Sequence, residues 1–223
     1  MGIKLMDFIF LNESFFYLLR GALVSIRIAG IACLIGLIGG TVLALVQTGS
    51  NKFLRVLVTL YITLIRGTPM LVQIMIVFFI LPQLGINFSA FWSAVLAIGM
   101  NSSAYLSQII KAGILSIGKG QWEAAQVLGF NKAQTMKFII LPQALRVIIP
   151  ALGNEFITLL KDSSLASTIG VVELVKEGSL IISKTYKVIP VYCLVTIIYL
   201  IMTTILSVAL VRFEKRIKRH AHN

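Results

Sequence analysis

The sequence predicts an all-α integral membrane protein with five transmembrane helices, the N-terminus outside, the C-terminus cytoplasmic, and a short helix in the longest cytoplasmic loop. Three observations predict it. Of 223 residues, 58% are hydrophobic and only 13% charged, and the mean hydropathy is +0.95; soluble domains carry about 25% charged residues. The net charge is +12, yet the basic residues fall between apolar runs. That is the topology-setting distribution of an inner-membrane protein, not the basic face of a nucleic-acid binder. Finally, the longest polar loop holds a pattern, Glu123-Ala124-Ala125, then Gly129, Ile139 and Leu141-Pro142. A basic loop carrying such a pattern is expected to dock something.

The first long apolar run begins at Gly21, and the first span is expected over 22–46. Arg27 lies near one end, from where it snorkels to the headgroups. Gly36 and Gly40 form a GxxxG pair that permits close helix packing. The apolar region 53–84 is too long for one span of about twenty residues. Arg66-Gly67-Thr68-Pro69 divides it, with Thr68 able to cap a new helix and Pro69 fitted to its first turn. This predicts an interfacial helix over 54–66 and a second span over 69–84.

The third span is expected over 91–110 and carries Asn101, Ser102, Ser103, Tyr105 and Gln108. So many polar groups must face protein or water, because lipid offers no hydrogen bonds. Residues 111–146 form the long cytoplasmic loop. The fourth span is expected over 147–160, an extracytoplasmic helix and loop over 165–188, and the fifth span over 190–211. The positive-inside rule supports this count. Lys52 and Arg55 mark one inner loop; Lys111, Lys119, Lys132, Lys137 and Arg146 mark the second; Arg212, Lys215, Arg216, Lys218 and Arg219 mark the tail. The loop 82–90 has no charge, and 161–188 is nearly balanced. Three regions result: an extracytoplasmic segment 1–20, a transmembrane domain 21–212 with its loop at about 113–146, and a basic tail 213–223. The first twenty residues, with Asp7, Glu13 and Arg20, do not read as a cleavable signal.

Several chemistries find no support. Cys33 and Cys193 lie inside apolar spans and read as small buried hydrophobes. His220 and His222 sit in the tail, away from any ligand cluster. Gly113 to Lys119 matches the start of a phosphate-binding loop, but Gly120 stands where a Ser or Thr must hold magnesium, and no strand precedes it. No Ser/His or metalloprotease arrangement lies in a span, so an enzyme is not expected, nor a metal or other cofactor in this chain. A passive channel would conduct without needing the patterned loop.

Within that loop, residues 120–130 are expected to form a short helix ending at Gly129, which suits a left-handed C-terminus. Ala124 and Ala125 would leave a small face for a partner. Glu123, near the helix start, would favour the dipole and pair with a basic group. Leu141-Pro142 would stop the next helix and turn the chain back.

The pattern resembles the EAA loop of permease subunits of bacterial ABC importers. More closely, residues 15–212 resemble the polar amino acid permeases of the histidine, glutamine and arginine type. The likeness rests on Leu19-Arg20-Gly21, Arg66-Gly67-Thr68-Pro69-Met70-Leu71-Val72-Gln73, Ser116-Ile117 with Lys119-Gly120-Gln121, Leu141 to Arg146, and Leu160 to Leu165. Gln108 and Gly118 depart from the family, which usually has an acid and a proline there. The resemblance implies a multi-pass subunit of the bacterial cytoplasmic membrane. It implies a coupling helix carrying Glu123, Ala124, Ala125 and Gly129. The implied partners are two ABC ATPase subunits that bind ATP and Mg, a second permease copy or close paralogue, an extracytoplasmic binding protein, and a polar amino acid.

Glu155 and Asp162 are seven residues apart, two turns on one helix face. Carboxylates at membrane depth mark a pathway or a pair. Lys161 adjoins them, and Ser163 and Ser164 would cap a helix break of the kind at which transporters bind substrate. One reading makes these five residues a site for a cationic amino acid such as arginine, lysine or histidine. The other makes Lys161 the partner of one acid in a cluster that only pins helices. Glutamine, cystine or another solute is the alternative cargo. Gln73, Asn101 and Tyr105 are further cavity candidates.

Overall fold

The computed structural model describes the backbone of residues 5–219 and the side chains of residues 14–216. His220 and His222, with the rest of both chain ends, lie outside the described residues. No strand occurs among those described.

Helix α1 runs unbroken over Leu5–Thr48, 44 residues and about 66 Å at 1.5 Å per residue. Residues 5–20 are therefore its first turns, not a separate segment. The cause is a stripe at helical spacing: Ser14, Leu18, Ala22 and Ser25 are all buried. Leu18 and Ala22 pack into a cluster with Leu174, Val191 and Val195.

Asn51 caps α2 (Lys52–Arg66), accepting from the backbone of Phe53 at 3.0 Å and Leu54 at 3.2 Å. Its outer face is apolar, with Phe53, Val56, Leu60 and Leu64 exposed. The chain then bends by 105° into the segment Met70–Leu84. That segment comprises α3 (Met70–Met75), a π turn (Ile76–Ile80) and a 3-10 turn (Leu81–Leu84). Thr68 does not cap α3. Its hydroxyl instead donates to the Leu64 carbonyl of α2 at 2.9 Å, because the last carbonyls of a helix lack intrahelical donors.

Helix α4 (Ala90–Leu115) has 26 residues, about 39 Å. Asn101, Ser102, Ser103 and Ser107 are buried in it, as the absence of hydrogen-bonding partners in lipid demands. Its main neighbour is α1, and the glycines of α1 set the contact. A methyl group at Gly40 would lie 2.8 Å from Leu106 Cβ and 3.0 Å from the Ser103 carbonyl oxygen; at Gly36 it would meet Ser102 Cβ at 2.7 Å. Only glycine lets the two backbones approach this closely. Ile28, Ala29 and Ala32 of α1, Ala94, Val95 and Ile98 of α4, and Leu159 and Leu160 form the central apolar core.

Helix α5 (Lys119–Val127) follows. A single long helix, Lys132–Ile169, comes next: α6 (Lys132–Gln134), a π turn (Thr135–Ile140), α7 (Leu141–Asp162) and a 3-10 extension (Ser163–Ile169). Two expectations are corrected here. Pro142 does not stop the helix; it falls in the first turn of α7 directly after the π turn, and the widened turn accommodates a residue with no N–H and a bulky ring. Ser163 and Ser164 do not cap a break. The helix tightens to 3-10 geometry through them, and the Ser163 hydroxyl donates back to the Leu160 carbonyl at 2.7 Å.

Helices α8 (Leu174–Thr185) and α9 (Val188–Arg219) complete the chain. Glu173 caps α8 and is fully buried. Its carboxylate accepts from the backbone of Val175 at 3.0 Å and Lys176 at 2.9 Å, from Ser25 Oγ of α1 at 3.2 Å, and from the Tyr199 hydroxyl of α9 at 3.1 Å. One side chain thus ties three helices. Both cysteines are free; Cys33 is half-buried, but Cys193 is exposed on α9 and not interior as expected.

Among the described residues, Ser14–Thr48, Lys132–Ile169 and Val188–Arg216 are long and apolar enough to cross a membrane. The bent pair of α2 with Met70–Leu84 makes a fourth if taken as one span.

Candidate functional site

A cavity of 330 Å³ opens where three elements meet. The elbow after α2 supplies Thr68, Pro69 and Met70; α4 supplies Asn101 and Tyr105; α7 supplies Glu155, Thr158 and Asp162. Glu155, Thr158 and Asp162 follow the i, i+3, i+7 spacing that lays three side chains along one helix face. The size suits a small solute, at the lower end of the usual range of roughly 300–1,000 Å³ for ligand pockets.

The two carboxylates converge as the spacing predicts. Glu155 receives one long bond, from Ser102 Oγ at 3.5 Å. Lys161 is exposed, outside the cavity wall, and makes no hydrogen bond or ion pair with either acid among the described residues. Two carboxylates thus face one cavity without a cation bound to them. At the rim, the Arg66 guanidinium stands 5.0 Å from the centroid of the Tyr105 ring, within cation–π range.

Gln73 is buried behind the wall. Its Nε2 donates to the Ile65 carbonyl at 2.7 Å, the Thr68 carbonyl at 3.1 Å and Thr68 Oγ1 at 2.8 Å, while its Oε1 accepts from Asn101 Nδ2 at 3.0 Å. It fixes the elbow and Asn101 and does not itself line the cavity. Ser163 is buried and Ser164 half-buried, and both also stand outside the lining. Of eight expected residues, the cavity therefore gathers Glu155, Asp162, Asn101 and Tyr105. Thr68, Pro69, Met70 and Thr158 join them unforeseen. For Thr158 the signal was present, since it lies between the two acids on their own helical face.

Helix α5 ends as expected. Gly129 adopts φ +79°; its N–H donates to the Gln126 carbonyl and that of Phe130 to the Ala125 carbonyl, both at 3.0 Å. This crossed pair is a Schellman ending. Three details differ from expectation. The helix starts at Lys119, so Glu123 lies beyond the first turn, where the dipole effect has faded. Ala125 is fully buried inside the chain and offers nothing to a partner. The open face consists of Glu123 and Ala124, together with Val127 and Leu128, 87% and 72% exposed. Two apolar side chains that open to water are what an interface covers.

Comparison with known proteins gives this architecture its context. The chain is 38% identical to the L-cystine transport system permease protein TcyB of Bacillus subtilis (strain 168), over 94% of this chain and 90% of that protein. It is 37% identical to the arginine transport system permease protein ArtQ of the same organism, over 91% and 93% of the two chains. Against the glutamine transport system permease protein GlnP of Escherichia coli (strain K12) the figures are 36%, 90% and 93%. Among solved structures, an amino acid ABC transporter crystallised with histidines superimposes with TM-score 0.89 at 38% identity, covering 97% of this chain and all of that one. The inward-facing methionine transporter MetNI shares the fold, with TM-score 0.74 at 19% identity, over 91% of this chain and 96% of that one. Residues 34–219 match the binding-protein-dependent transport system inner membrane components. With that match over most of the chain and relatives this similar along its length, the protein belongs to the family of inner membrane components of binding-protein-dependent transport systems, as an ABC permease subunit and not an enzyme.

Proposed function

We propose that this permease carries a cationic amino acid, arginine, lysine or histidine, inward across the bacterial cytoplasmic membrane by alternating access. The observation that carries the substrate reading is the pair Glu155 and Asp162, which share one cavity with no cation bound to either. A buried or half-buried carboxylate calls for a partner. A cationic amino acid brings two, its α-ammonium and its side chain. The Tyr105 hydroxyl, which has no hydrogen bond among the described residues, suits the substrate carboxylate.

Five spans with the N-terminus outside and the C-terminus inside fit the charge pattern. In this count α1, the segment Met70–Leu84, α4, α7 and α9 cross the bilayer, and α2 lies at the interface. Helix α5 then faces the cytoplasm. There Glu123, Ala124, Val127 and Leu128 dock one ABC ATPase subunit, which binds ATP and Mg. Two permeases, identical or closely related, pair with two ATPases, and an extracytoplasmic binding protein delivers the amino acid.

Uptake into proteoliposomes containing the permease, its ATPase and the binding protein tests this directly. Labelled arginine, histidine, glutamine and cystine are compared. ATP-dependent uptake selective for arginine or histidine is the expected result. Uptake of glutamine or cystine instead, for which relatives of similar identity are named, would keep the transporter and remove the charge-reading role of Glu155 and Asp162.

A further inference from the structure

Helix α5 and the cavity are joined through one helix, and the join has an unusual construction. The π turn Thr135–Ile140 packs beneath α5, with Ala125, Thr135 and Ile140 buried. Pro142 follows immediately and brings no N–H to the helical ladder. Gln143, the next residue, bridges the π turn and α5 with its side chain. Its Nε2 donates to the Ile139 carbonyl at 2.8 Å and to Gln121 Oε1 of α5 at 3.2 Å. One amide group therefore ties α5 to the π turn through the Ile139 carbonyl and Gln121. Glu155 lies twelve residues further along the same helix, about 18 Å away.

We infer that Gln143 is a positioning residue for transport, the strut through which displacement of α5 reaches the helix bearing Glu155 and Asp162. A bare apolar contact lets α5 slide over the π turn. A bond from a side chain rooted on the far side of that turn makes the two move as one body. The inference rests on the reading of α5 as the ATPase-docking element.

The test compares the wild type with Gln143→Glu, which cannot donate, Gln143→Leu, which is of similar volume, and the pair Gln121→Lys with Gln143→Glu. Assemblies are reconstituted, and three quantities are read: ATPase retained on purification, ATP hydrolysed, and amino acid moved per ATP. Each single change should leave the ATPase bound and hydrolysing. Each should lower amino acid moved per ATP by about fivefold, the scale of one net hydrogen bond. The Lys–Glu pair restores the bridge with an ion pair and should return the ratio to within about twofold of wild type. A purely structural role for Gln143 would show as lost assembly, with no recovery of the ratio in the pair, and would overturn the inference. An unchanged ratio in both single variants would do the same. Failure of the docking reading is separate: Glu123→Arg would then leave ATPase binding and uptake per ATP unaltered, whatever Gln143 does.

Discussion

Replacing Glu173 with alanine should destabilise the permease by about 3 kcal/mol. The carboxylate caps α8 through the backbone of Val175 and Lys176, and losing an N-cap costs about 0.5–2 kcal/mol. It also accepts from Ser25 and Tyr199; each buried donor left without a partner costs about 1–3 kcal/mol. The lower ends apply, because Ser25 can turn its hydroxyl to a carbonyl of its own helix. For a chain of this length 1 kcal/mol shifts the melting temperature by roughly 2–4 °C on the scale of soluble domains, so Glu173→Ala should melt about 6–12 °C lower. Glu173→Gln keeps one acceptor oxygen and should lose about a third of that. Thermal unfolding in detergent, followed by exposure of the half-buried Cys33 thiol, measures both. A melting point for Glu173→Ala within about 1 °C of wild type would refute the network's role.

The same site has a pH signature. Burial pushes the Glu173 carboxyl above its ordinary value, against the pull of its hydrogen bonds from Val175, Lys176, Tyr199 and Ser25. A group whose pKa is higher folded than unfolded contributes stability that is full below the unfolded value and lost as pH rises through the folded one. Wild type should therefore gain stability relative to Glu173→Gln as pH falls from neutrality toward about 4.3, the unfolded glutamate value. A difference between the two proteins that is flat across this range would contradict the burial argument.

Other expectations follow from the packing and the cavity. Gly40→Leu should prevent the α1–α4 contact, since the first added carbon already meets Leu106 and the Ser103 carbonyl; overpacking costs about 1–3 kcal/mol or more. Gly30→Ala has nothing within 4 Å of the new carbon and should elute as wild type on size exclusion. Asp162→Asn should raise the half-saturation concentration for arginine about tenfold or more, the scale of a lost charged hydrogen bond, while leaving assembly intact. Equal loss of glutamine and arginine uptake would remove Asp162 from charge recognition. Glu123→Arg should retain membrane insertion yet lower uptake per ATP, read in the same reconstituted assay.

The sequence made some of this architecture legible and hid the rest for physical reasons. Apolar runs and glycine spacing announced α1, and the GxxxG pair proved to be its contact with α4. The polar stripe of α4 correctly implied burial in protein. The placement of Glu155 and Asp162 on one helix face followed from their spacing. Three features were misread because the sequence signal was local and the cause was not. Residues 1–20 read as a separate extracytoplasmic segment, but from Leu5 the chain is already helical and continuous with α1, and Leu18 and Ala22 find partners on α8 and α9. Pro142 looked like a stop, yet a π turn absorbs it. Ser163 and Ser164 looked like caps, but here the helix tightens to 3-10 geometry without ending. Glu173 was invisible because its partners lie 148 residues before it, at Ser25, and 26 after it, at Tyr199, and no periodicity links them.

The correction at Pro142 bears on mechanism. Had the chain broken there, the π turn under α5 and the acids would sit on separate helices. The long helix Lys132–Ile169 instead carries the π turn under α5 at one end and Asp162 toward the other. Helices α1 and α4 pack closely at Gly36 and Gly40, where an added methyl group would clash. The cavity lies between α4 and the long helix, with Asn101 and Tyr105 on one wall and Glu155 and Asp162 on the other. On the proposed mechanism, moving the long helix against α4 changes the distance between the two walls, so the element contacted by α5 would also reshape the cavity. A packed interface of this kind shifts between discrete arrangements and does not deform smoothly. Asn101 is held by Gln73 to the elbow at Thr68, which ties the third wall to α4.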